Sequence, residues 1–162
     1  MSFDAILQRL QNMTPFNIYQ VNPDGTVAPW YNVNGSAVVS DLLLTDHNIR
    51  EQVQTITGRI ADWGRLAAQA KRVWSISERN YRVWRSTMYI TIKNSEGKKT
   101  EKEIEATYRI HPDYARVYNE VERAEEAYNA TLAILDAWKA KLQVIKAHVY
   151  RQNTEDGAVL TI

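Results

Sequence analysis

IREQVQTITGRIADWGRLAAQAKRVWSISERNYRVWRSTM, residues 49–88, decides the fold. Ile49, Val53, Ile56, Ile60, Trp63, Ala67, Ala70, Trp74, Ser77, Tyr81, Trp84 and Met88 follow one another at steps of four and three without a break. Only Ser77 in that series is neither apolar nor aromatic, and no proline interrupts it. Apolar residues at a period of 3.5 belong to a helix that packs along one continuous seam. Thr45 or Asp46 supplies the expected N-cap. At 1.5 Å per residue the helix spans roughly 60 Å, more than a small domain needs for itself.

A second series supplies a partner of matching length. Tyr114, Val117, Val121, Ala124, Tyr128, Thr131, Leu135, Trp138, Leu142, Ile145 and Val149 also step by three and four. His111-Pro112-Asp113 opens it, with proline in the first turn and an acid at the positive end of the helix dipole, and Asn153 to Gly157 marks its exit. Two such helices of similar length, joined by a twenty-odd-residue connection, predict an antiparallel hairpin. Leu66, Val73, Ile76, Val83, Tyr118, Leu132, Ile134 and Val144 lie off the seams, an apolar excess that points to self-association. In the connection, MYITIK is β-rich and NSEGKK reads as an exposed, mobile turn. In TEKEIEATYRI, Thr100 and Glu103 form a capping box, favouring a short helix from Thr100 to Tyr108 over a β-hairpin.

Residues 1–44 differ in character. A short helix is expected from Asp4 to Gln11, with Ser2 or Asp4 near its start. FNIYQV, NPDG and TVAPWY read as a β-hairpin whose second strand Pro29 confines to an edge. NVNG closes that segment, and SAVVSDLLL reads as a short strand or an extended run of anchoring side chains. The terminal AVLTI is apolar enough to add a strand to the hairpin or dock on another subunit. The expected organisation is therefore mainly α. Two long antiparallel heptad-patterned helices and a short connecting helix (45–152) follow a small N-terminal helix and hairpin segment (1–44) and precede a tail (153–162).

The chain has 162 residues, no cysteine and a net charge of +1. Lack of cysteine excludes disulfides, thiolate zinc and thiol catalysis, and fits a reducing compartment. No apolar run approaches a membrane span, and MSFDAILQRLQNMTPF lacks the pattern of a signal peptide, so a soluble, cytoplasmic protein is expected. The three histidines, 47, 111 and 148, are not at metal-ligand spacing, and the six glycines occur singly, without a phosphate-cradling loop. Glu120, Glu122, Glu125 and Glu126 read as a solvated acidic face. No catalytic constellation, metal site or cofactor motif emerges, and an enzyme is not expected.

Charge is segregated along the chain. Residues 59–99 hold ten basic and three acidic side chains; residues 100–136 hold four basic and nine acidic. Within the basic block, Trp74, Tyr81 and Trp84 occupy the seam. Trp63, Tyr128, Leu135, Trp138, Leu142 and Ile145 join them as core or subunit-interface residues. Arg65, Arg72, Arg79 and Lys93 recur by sevens opposite the seam, flanked by Lys71, Arg82 and Arg85, with only Glu78 among them. Such a stripe is either a solvated face, a partner for the acidic helix, or a binding surface for an anion. Among anions nucleic acid fits best, because repeated cations match a repeating phosphate backbone. Tyr89 is the aromatic off the seam that is placed to stack on a base.

The order of a basic helix (RIADWGRLAAQAKRVWSISERNYRVWR), a connection, and the segment TEKEIEATYRIHPDYARVYNEVERAEEAYNATLAILDAWKAKLQVIKAH resembles phage recombination mediators of the UvsY type. The resemblance covers about residues 49–149 and is one of order, charge and spacing. It implies a ring-like homo-oligomer in the cytoplasm of an infected bacterium that binds single-stranded DNA. Such proteins help load a RecA-like recombinase onto strands covered by single-strand binding protein. It would place DNA contacts on Lys71, Arg72, Arg79, Arg82, Arg85, Lys93, Lys98 and Lys99, and assembly on the helix from Tyr114 to Val149. The β character of the first 44 residues departs from that family. The competing expectation is a helical structural or adaptor protein, of phage assembly or host-protein binding, whose charge blocks set the register between subunits.

Overall fold

The computed structural model describes residues 2–43, 49–95 and 97–155. Thr45, Asp46, His47 and the AVLTI segment lie outside them. In chain order the elements are α1 (Phe3–Gln11), β1 (Phe16–Val21), β2 (Val27–Val33), α2 (Gly35–Leu43), α3 (Ile49–Lys93), α4 (Glu101–Arg109) and α5 (Pro112–Glu155).

The two heptad series become α3 and α5, of 45 and 44 residues. Each is about 67 Å long at 1.5 Å per residue. Ring contacts along the seam fix their direction: Trp74 stacks on Tyr128 and Tyr81 meets Tyr118. Trp84 then meets Tyr114, so the partner's number falls as the first rises. The pair is an antiparallel hairpin, as the spacing predicts. At the end remote from the connection, called proximal below, the seam is lined by Ile56, Trp63, Ala67, Ala70, Leu135 and Trp138. At the distal end it is aromatic.

The N-terminal segment forms a layer over the proximal half of the hairpin. Ser2 caps α1, its hydroxyl accepting from the Ala5 amide. β1 and β2 pair antiparallel around a turn in which Gly25 takes φ +83° and the Asp24 carboxylate accepts from the Thr26 amide and hydroxyl. Leu10, Ile18, Val33, Val39 and Leu42 from this layer share one core with Trp63, Ala67, Ile134 and Trp138. Lys141 of α5 ties the layer down: its buried ammonium donates to the Leu42 carbonyl, at the C-terminal end of α2 where a cation is favoured. Burial holds that ammonium below the ordinary lysine range, partly opposed by Asp41.

Two local expectations are corrected. SAVVSDLL, residues 36–43 of that run, is helical, not extended: the Asn34 side-chain oxygen accepts from the Ser36 amide, and Val38, Val39 and Leu42 fall on one buried face. The β-branched pair is overridden by that burial and cap. MYITIK likewise continues α3 to Lys93, because Met88, Tyr89 and Ile92 pack against α4. The short helix in the connection forms as expected, with both halves of the Thr100–Glu103 capping box present.

The apolar excess off the seams divides in two. Val73 and Ile134 are buried within the chain, and Leu66 and Leu132 pack against the shared core. Val83, Val144 and Tyr118 stay exposed, joined by Ile90. The N-terminal layer thus consumes part of the surface that the spacing alone assigns to subunit contact.

Two glycines test the packing in opposite senses. At Gly35 the start of α2 approaches α1 so closely that a Cβ would collide with the Leu10 carbonyl oxygen. At Gly64, inside α3, a Cβ meets nothing. Gly35→Ala is expected to cost about 1–3 kcal/mol through overpacking, whereas Gly64→Ala is expected to add about 0.5–1 kcal/mol. Thermal unfolding followed by circular dichroism checks both, and shifts of the same sign would refute the packing described.

Candidate nucleic-acid interface

The heptad register sends the basic residues of α3 away from the seam. Arg65, Lys71, Arg72, Arg79, Arg82, Arg85 and Lys93 are all exposed. Their surroundings differ. Arg65 pairs with Asp62 and Arg82 with Glu78, both within α3. Lys71, Arg72 and Arg79 have no carboxylate partner among the described residues. Arg85 lies on the α4 side, its guanidinium 5.6 Å from the centre of the Tyr108 ring. Lys98 and Lys99 are exposed after Gly97, whose φ of +97° requires a glycine-like turn, and Lys99 donates to the Ser95 hydroxyl.

The acidic run on α5 does not pair with this stripe. Glu122, Glu125 and Glu126 are exposed, and the half-buried Glu120 is paired with Arg116 one turn earlier on its own helix. Ion pairs of this exposed, intrahelical kind stabilise little, typically a few tenths of a kcal/mol. They leave the basic and acidic faces as separate surfaces.

The aromatic residues of the basic block are structural. Trp74 stacks on Tyr128 at 5.6 Å, and Tyr81, Trp84, Tyr108, Tyr114 and Tyr118 form one connected cluster at the distal end. His111 closes it against Trp84, while its Nδ1 accepts from the Asp113 amide at the start of α5. Burial, with Tyr114 and Tyr108 adjacent, raises the Tyr81 phenol above its ordinary pKa, and Glu122 does the same for Tyr118. Tyr89 is more covered than its place off the seam suggests. It is half-buried against the cluster of Ile92, Ile104 and Tyr108, and the Lys93 ammonium sits 5.7 Å from its ring centre. Trp63, Leu135 and Trp138 are buried in the shared core, with Leu142 and Ile145 packed against it.

Spacing did not single out a groove at the proximal end. Between β2 and α2 on one side and α3 on the other lies a depression of about 880 Å³. Trp138, Val33 and Val38 line its buried parts, and Trp30, Tyr31, Arg59 and Arg65 its open parts. Its sequence signal was the unbroken APWYN run, with two large aromatics next to each other in a strand that should alternate. Among the described residues no three His, Cys, Asp or Glu side chains gather as metal ligands, and no helix is long and apolar enough to cross a membrane.

No protein-family model matches this chain, and no curated protein or solved structure matches it. Its class is set by its own architecture: a long antiparallel helical hairpin, capped distally by a short helix and overlaid proximally by a helix–hairpin–helix layer.

The distal end makes a pH prediction. The Thr100 amide, and then its hydroxyl, hold the Glu103 carboxyl below the usual carboxylate range. A depressed folded-state pKa stabilises above the unfolded value, near 4.5, and the contribution is lost as pH falls through the folded value. Glu103→Gln is therefore expected to lower the melting temperature at pH 7, by an amount that shrinks as the pH falls below about 4.5. A pH-independent difference in a melting series would exclude this linkage.

Proposed function

We propose that this protein is a non-enzymatic, homo-oligomeric accessory factor that binds single-stranded DNA. Its role would be that of a recombination mediator helping to load a RecA-like recombinase onto strands covered by single-strand binding protein. The observation that carries the DNA-binding reading is the exposed α3 stripe, in which Lys71, Arg72 and Arg79 have no carboxylate partner among the described residues, while Glu120 of the acidic run pairs with Arg116 on its own helix. Unneutralised cations repeated along a rigid rod suit a polyphosphate, and their binding releases counterions. Contacts from several subunits would add through effective concentration. The mediator role rests on the resemblance of order, charge and spacing to proteins of the UvsY type.

A second reading, a helical structural or adaptor protein without a nucleic-acid role, draws on a different observation. Val83, Ile90, Tyr118 and Val144 expose apolar surface on the two long helices. Self-association through those residues serves either reading, and the salt dependence of oligonucleotide binding separates the two.

Fluorescent oligo-dT is expected to bind with an affinity that falls steeply with salt. Lys71→Ala, Arg72→Ala and Arg79→Ala together are expected to lower the log–log salt slope by about 2, at roughly 0.7 per phosphate contact, with the light-scattering mass unchanged. Binding that ignores salt, or no binding at low salt, would remove the DNA reading and leave the adaptor one. Val83→Ser with Val144→Ser, measured by light scattering on the same preparations, is expected to lower the oligomer mass.

A further inference from the structure

The stripe on α3 offers phosphate contacts but no stacking surface, since its aromatics are in the seam or, for Tyr89, against α4. The proximal groove offers the reverse. Ile18 pairs with Tyr31 and Tyr19 with Pro29, so Trp30 is an extra residue in β2, a β-bulge. A regular strand sends neighbouring side chains to opposite faces. Here the Trp30 and Tyr31 rings lie with centroids 6.5 Å apart, and both line the groove. Their exposures are 53% and 49%, values that no core role explains.

The charge of the groove is balanced. Arg59 pairs with Asp41, and Arg65 with Asp62. A wall of flat aromatics with amides such as Asn32 and Gln69 and no net charge suits a neutral, flat, polar group better than a phosphate. Continuity with the stripe indicates which such group. Arg65 lines this groove and also begins the series Arg65, Arg72, Arg79, whose members stand about 10 Å apart along the helix. A ligand with neutral planar groups on one side and a repeating anion on the other would meet both surfaces at once.

We infer that the Trp30–Tyr31 bulge is a base-stacking platform. Unpaired nucleobases of a single strand enter the groove between β2 and α3, while the strand's phosphates run on along Arg72 and Arg79. The inference rests on the DNA-binding reading above and adds to it a second, sequence-tolerant contact, because every base has a face to stack. A peptide would use the groove without the stripe, and a second copy of this chain would use the exposed rings for assembly; both are outcomes of the test.

Trp30→Ala/Tyr31→Ala is expected to weaken oligo-dT binding about tenfold or more, with the salt slope kept. Trp30→Phe/Tyr31→Phe is expected to retain most of the affinity. An abasic strand of the same length is expected to bind the wild type about as weakly as oligo-dT binds the double alanine variant, and to bind that variant no more weakly still. Three results would overturn the platform while leaving the stripe intact, in a protein whose wild type binds oligo-dT with a steep salt dependence. They are an unchanged affinity of the alanine variant, an equal loss of its affinity for the abasic strand, and a loss that tracks a changed light-scattering mass. No binding of oligo-dT by the wild type would overturn both.

Discussion

The stack of Trp74 on Tyr128 marks the point on which the hairpin turns chemically. Toward the proximal end, Ala67 and Ala70 leave room on α3, and the seam closes over Trp63, Leu135 and Trp138. Toward the distal end the seam is built of rings, from Tyr81 and Tyr118 to Trp84 and Tyr114. Two helices of about 67 Å cannot cover each other's apolar surface with one narrow seam. Each end therefore recruits a further layer. The N-terminal segment lies over the proximal half, and α4 wedges Ile104 and Tyr108 beside Trp84 and Ile92 at the distal end.

This division explains the placement of polar groups as well. Ser77, the one polar residue in the α3 series, lies 2% exposed between the two halves, and its hydroxyl has no partner among the described residues. Thr131 solves the same problem locally, its hydroxyl donating to the Ala127 carbonyl. With the rings committed to the distal core, the arginines of the same stretch are left on the outside. A mixed basic and aromatic sequence thus separates into a structural face and a charged face.

Long-range periodicity carried the two main helices and their antiparallel pairing, because a 3.5-residue period repeated over forty residues has no competing explanation, while the local Thr100–Glu103 capping box carried α4. Short elements were harder to read. Val38 and Val39 favour a strand by their own preference, and only the Asn34 cap and the contact with α1 and α5 make them helical. MYITIK has the composition of a strand, yet α4 supplies the buried contacts that keep it in α3. On the candidate surface, the direction of Arg65, Arg72 and Arg79 followed from counting sevens, whereas the covered state of Tyr89 depended on where α4 folds back. The APWYN run marks only one wall of the groove beside Trp30; the other comes from α3, distant in the chain, so the groove itself was not legible locally.

Antiparallel pairing has an electrical consequence. It lays the basic half of α3 alongside the acidic half of α5, so opposite charges that are consecutive along the chain become opposite flanks of one rod. The nearly neutral total of +1 conceals this separation of charge at the distal end. Within a Debye length, about 8 Å at physiological ionic strength, a polyanion is drawn to one flank and turned away from the other. The two flanks of the rod are therefore electrically unlike, although the chain as a whole is nearly neutral.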